Sequence, residues 1–177
     1  MKQYELLERE HALLKHLAQL PRKILTLHGR ENVTEFVLHD LCDINCFNLN
    51  KAAYFIDNPD FNITKGVAGF SRSDVPINGQ MAWKDPVAFS QHMAQSEFNK
   101  KVRKIMQGSL SSEKHDHEKI AGRLADELGF NNHAFCNVTM KHDNHGFVLY
   151  EKVNTHDTFA DDHMVNGLSL LGFCPIF

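Results

Sequence analysis

The first apolar rhythm in the chain has the period of a helix. Leu6, Leu13 and Leu20 lie seven apart, Leu7, Leu14 and Leu17 fill neighbouring positions, and the charges fall elsewhere. Residues 3–20 are therefore expected to be helical, with Pro21 ending the element. Glu10 interrupts this seam after too few heptads for an autonomous coiled coil, and the helix is expected to pack against a partner subunit. Asn32 with Glu35 three residues on has the form of a capping box. It predicts a second helix over 31–44, with Val33, Phe36, Val37, Leu41 and Ile44 as its apolar stripe.

The period then shortens. Residues 51–57 are aromatic and β-branched and read as a strand, Asp57 to Asp60 as its turn, and 61–70 as an antiparallel partner. Gly66 and Gly69 mark a bulge or a close backbone approach in that partner. Residues 71–85 form a long polar connection with the single tryptophan, Trp83, near its end. Asp85-Pro86 opens a helix expected to run to about Gln107. Its apolar face is Phe98, Val102 and Ile105, and Lys100, Lys101, Arg103 and Lys104 form its solvated side.

Ser111 or Ser112 caps a further helix ending at Gly129, with Ile120, Ala121, Leu124, Ala125 and Leu128 as its stripe and His117 on the same face. Residues 133–141 alternate, placing Ala134, Cys136, Val138 and Met140 opposite Phe135, Asn137 and Thr139. A polar turn leads to a strand over 147–153, a second hairpin. Thr158 to Asp161 has the form of another capping box, for a helix presenting Met164, Val165, Leu168 and Leu171, and the apolar tail 172–177 is expected to be tucked in. This order predicts an α+β fold, a central antiparallel sheet flanked by N- and C-terminal helices with a helical insert.

Composition narrows the function classes more than it selects one. The 177 residues are 42% hydrophobic and 23% charged, which excludes a disordered or low-complexity chain. A net charge of −3 offers no footprint for nucleic acid. No run is apolar enough for a secretory leader or a membrane span, so a cytoplasmic location without a membrane partner is expected. The 12 histidines suggest metal or proton chemistry, but dispersed surface imidazoles account for them more simply. His115 and His117 diverge by about 200° on a helix and cannot chelate one ion. His133, His142, His145 and His156 flank the second hairpin and are expected at its exposed ends. Cys42, Cys46, Cys136 and Cys174 have no disulfide-framework spacing and are expected reduced. Cys42 and Cys46, one turn apart, are read as helix packing, and no metal site is expected.

Three segments carry a resemblance. Leu128 to Lys141, then Gly146 to Glu151, then Thr158 to Met164 resemble the closing half of a GAF domain, in which two strands precede an acidic, Phe-containing start to the last helix. Residues 32–70, a helix followed by a hairpin, are similar to its opening half. The resemblance spans about 120 residues. The further middle strand usual in that family has only weak candidates within 71–112, and the proline common in the penultimate strand is absent near Val138. Residues 1–22 are then an N-terminal dimerisation helix and 23–177 the GAF-like domain.

The resemblance implies a small-molecule-binding or regulatory sensory module, without an output domain of its own, acting as a homodimer. Its ligand is expected between the sheet and the insert 71–128, with Arg72, Asp74, Trp83, His117 and Cys136 as binding residues. Trp83 would supply a flat wall and Arg72 a bidentate donor. The ligand's identity is open, no catalytic residue or cofactor is assigned, and a purely structural partner protein is a further reading. An enzymatic alternative is a thiol-dependent redox enzyme resembling the free methionine sulfoxide reductases, with Cys136 the thiol on the sheet. Against it, Ala53-Tyr54-Phe55 stands where those enzymes carry a Trp-x-Gly-Phe-Tyr-like strand.

Overall fold

The computed structural model describes residues 3–27, 29–74, 81–110, 117–140 and 142–175. Strands β1 (Leu49–Asn58), β2 (Ile63–Ser71), β3 (Met106–Gln107), β4 (His133–Thr139) and β5 (His145–Lys152) form an antiparallel sheet in the order β3-β2-β1-β5-β4. The helices are α1 (Gln3–Thr26), α2 (Val33–Cys42), α3 (Met81–Lys84), α4 (Pro86–Gln95), α5 (Glu97–Lys104), α6 (His117–Leu128) and α7 (Asp161–Ser169). The fold is α+β. The Ser111/Ser112 cap, His115, residues 75–80 of the long connection, and Ile176 and Phe177 of the tail lie outside the described residues.

Both faces of the sheet are covered, and β1 shows why. Its Ala52 and Tyr54 point to one side, Ala53 and Phe55 to the other, and all four are fully buried. The first side, joined by Phe70, Val148 and Tyr150, packs under α1, α2, α4 and α7 through Leu13, Leu20, Phe36, Leu41, Phe89, Met93, Met164 and Leu168. The second side, joined by Phe147 and Leu149, packs under α5 and α6 through Phe98, Val102, Ile120, Leu124 and Leu128. Gly129 closes α6 at a φ of +71°, the left-handed conformation that glycine adopts without steric cost.

Several sequence expectations shift at element ends. Pro21 does not end α1, because Leu20, Ile24 and Leu27 are all buried and that burial outweighs one forfeited hydrogen bond. The leucine seam divides: Leu13 and Leu20 are buried and Leu17 is packed against them, whereas Leu6, Leu7 and Leu14 are exposed. Ile44 lies beyond α2 and is exposed. Asn32 makes no capping bond; its amide donates to Glu35 Oε2 at 3.0 Å and to Ser90 Oγ at 2.9 Å. Thr158 makes no side-chain cap at α7, whose N-cap is Ala160, and Val165 is exposed.

The helix expected over 86–107 is two helices. Asp85 caps α4 as predicted, accepting from Ala88 N at 3.0 Å. Ser96 then breaks the path. It caps α5 by accepting from Asn99 N at 3.1 Å and donates to Asp74 Oδ2 at 3.0 Å. The break is required because α4 packs against α2 while α5 packs on the other side of the sheet, which one straight helix cannot do. Asn99 locks the corner, donating to Glu35 Oε1 and Met93 O and accepting from Gly69 N. Ser96→Ala is expected to cost about 1 kcal/mol through the lost cap, lowering Tm in a melt by about 2–4 °C.

Candidate functional site

A groove of about 660 Å³ opens between α7 and the β4–β5 edge of the sheet. The alternation of the hairpin builds its floor. Ala134 pairs with Tyr150 and Cys136 with Val148, and Ala134, Cys136 and Tyr150 line the groove opposite Met164 and Val165 of α7. Its cause is side-chain size. Where Phe or Ile on β4 would meet α7, Ala134 and Cys136 leave space. Asn131, Asn132, His133 and Thr155 form the polar rim, and Phe135 completes the lining.

Lys152 and Asp161 add the groove's charge as a close ion pair, with Lys152 Nζ also donating to Asp157 O at 2.9 Å. Burial pushes the Tyr150 phenol up, reinforced by Cys136 and Asp161, so it is a neutral hydroxyl at physiological pH. Burial also pushes the Cys136 thiol up. The site thus presents an apolar floor, neutral donors and one internally compensated charge pair. Such a surface suits binding more than proton transfer or nucleophilic attack. The other thiols behave alike: burial raises Cys42, Cys46 and Cys174, the last to about 12. All four are protonated near neutrality, and none is a ready thiolate.

Of the five residues expected at a binding site, Cys136 lines this groove. Arg72 instead clamps the end of α2, donating to Cys42 O at 2.5 Å and to Asn48 Oδ1 at 2.9 Å. Asp74 accepts from Phe98 N at 2.8 Å, so its charge rests on the N-terminus of α5. His117 is exposed on α6, its Nδ1 3.1 Å from Asn137 Nδ2. Trp83 does not stand between the sheet and α5–α6. It packs against Phe36 of α2, ring centroids 5.3 Å apart, and donates from Nε1 to Asp40 Oδ1 at 2.7 Å.

The space where the ligand was expected is occupied, among the described residues, by Phe55, Phe98, Val102, Phe147, Leu149 and the α6 stripe. Tyr150, Lys152, Asp161 and Met164 were not singled out as binding residues from sequence. The signal that could have found them is the small pair Ala134 and Cys136 in an otherwise bulky hairpin. Among the described residues, no group of three or more His, Cys, Asp or Glu side chains is placed to hold a metal ion. No helix among them is long and apolar enough to cross a membrane.

No family model, curated protein or solved structure matches this chain.

Proposed function

We propose that this chain is a small-molecule-binding regulatory module of GAF-like build, and that its ligand occupies the groove between α7 and the β4–β5 hairpin. The observation that carries the reading is the groove itself. Its volume of about 660 Å³ lies in the range of ligand sites, and it combines an apolar floor with a few polar groups at the rim. The ligand that fits has a flat apolar portion over Ala134, Cys136 and Met164 and an acceptor for the Tyr150 hydroxyl. The Lys152–Asp161 pair favours a ligand of low net charge, because either sign would have to compete with the bond already made.

A metabolite library screened by melting temperature tests this. A compound at 100 times its Kd stabilises by about 2.7 kcal/mol, a rise of roughly 5–11 °C for a chain of this size. Ala134→Trp fills the groove from an exposed position and is expected to abolish that rise while leaving the unliganded melt near wild type. A compound that raises both melts equally, or a library that leaves the wild type unmoved, overturns the reading.

A further inference from the structure

We propose that the outward face of α1 is an association surface for a second copy of this chain, with the two helices pairing antiparallel across a two-fold axis. α1 is apolar on two faces. One is satisfied within the chain, where Leu13, Leu20 and Ile24 are buried. The other faces solvent, with Tyr4 70% exposed, Leu7 57%, Leu14 45% and Leu25 73%.

Scattered apolar residues on a surface need no explanation, but these lie on one line. Positions 4, 7, 11, 14, 18, 21 and 25 follow the alternating three-and-four spacing of a coiled-coil seam, and all seven are exposed. They carry Tyr, Leu, His, Leu, Ala, Pro and Leu, so His11 is the single polar member. From position 4 to position 25 of α1 this seam is about 32 Å long. This is a different set from the seam expected from sequence, whose Leu13 and Leu20 serve the chain's own core.

The charges beside the stripe select the occupant. Glu8, Lys15 and Arg22 each follow a seam position by one residue, and all three are exposed. In an antiparallel pair these flanking positions face their own kind on the other helix. The register that sets Leu7 over Ala18 sets Glu8 of each copy against Lys15 of the second copy. Sliding one heptad, to set Leu7 over Leu25, would set Lys15 against Lys15, so the charges favour the first register. A second copy thus supplies both the apolar partner and the complementary charge, and each contact occurs twice, as two-fold symmetry requires.

Sedimentation of the full chain at tens of micromolar is expected to give about twice the monomer mass of 20.2 kDa. Leu7→Glu with Leu14→Glu is expected to give the monomer mass with an unchanged circular dichroism spectrum, since neither side chain belongs to the core. Charge reversal is the second, gentler arm. Glu8→Lys is expected to weaken the dimer at least tenfold, and Glu8→Lys combined with Lys15→Glu to restore it. A wild-type monomer at that concentration, or a dimer indifferent to the leucine substitutions, overturns the proposal. A dimer that the charge swap fails to restore overturns the antiparallel register that sets Leu7 over Ala18.

Discussion

Gly66→Ala is expected to leave the chain unable to fold, while Gly122→Ala stabilises it. Gly66 lies on β2 where α5 ends against the sheet, and its N–H donates to Ile105 O at 3.0 Å. A methyl group there would stand 1.9 Å from Val102 O and 2.8 Å from the Val102 carbonyl carbon. Both atoms are backbone, so no rotamer change relieves the clash. Relief requires α5 to lift from the sheet, uncovering Phe98 and Val102. The expected loss exceeds 4 kcal/mol, the range reserved for such disruptions, and native domains hold only about 5–15 kcal/mol in total.

Two controls separate this contact from glycine substitution in general. At Gly69 the nearest atoms are Val102 Cγ2 at 2.6 Å and Phe98 Cε1 at 3.0 Å, side chains that can shift. A cost of about 1–3 kcal/mol is expected there. At Gly122, inside α6, a methyl group meets nothing within 4 Å, and helix propensity should add about 1 kcal/mol of stability. Soluble yield and melting temperature of the three variants give the order. A Gly66→Ala protein melting within a few degrees of wild type would mean that α5 is not seated against β2 as described.

The legible parts of this fold are those fixed by neighbours in sequence. The hairpin 51–70 announced itself through β-branched and aromatic residues, and its two glycines marked the place where α5 approaches. The alternation of 133–139 and the α6 stripe were equally local, and both lie as expected. What the pattern does not encode is which side of the sheet each piece covers. Trp83 and Phe98 belong to one insert, yet Trp83 packs against α2 and Phe98 lies across the sheet, because Ser96 turns the chain between them. A single polar residue within a helical period carries little sign of that turn. The α1 seam was ambiguous for a related reason. Leucines on two faces produce one dense apolar pattern, and only packing against the sheet separates Leu13 from Leu14. The groove was the least legible feature. It arises where small residues at 134 and 136 meet a helix beginning 25 residues later, and no local window contains both.

Asp40→Asn is expected to cost on the order of 3 kcal/mol at neutral pH, lowering Tm by about 6–12 °C. Asp40 is buried where three elements meet. Lys23 Nζ of α1 lies 2.8 Å from its Oδ2, Trp83 Nε1 of α3 donates to its Oδ1 at 2.7 Å, and His39 Nδ1 of α2 is 3.2 Å away. His16 Nε2 of α1 stands 3.5 Å from Oδ2. Burial opposes the charge on this carboxyl, but the contacts with His16, His39, Lys23 and Trp83 outweigh it and hold the pKa well below the usual carboxylate range. Because the folded value lies below the unfolded one, ionised Asp40 stabilises the fold above the unfolded value of about 3.9, and the contribution is lost progressively as pH falls below about 5. Asparagine can still accept from Trp83 but offers Lys23 no charge. Lys23 is 27% exposed and can turn to water, which keeps the cost near the lower end for a broken buried pair. The gap between wild type and variant should therefore be wide at neutral pH and narrow steadily on acidification. Urea unfolding at neutral pH and near pH 3 measures it. Equal stability of the two proteins at neutral pH would show that Asp40 does not hold α1, α2 and α3 together.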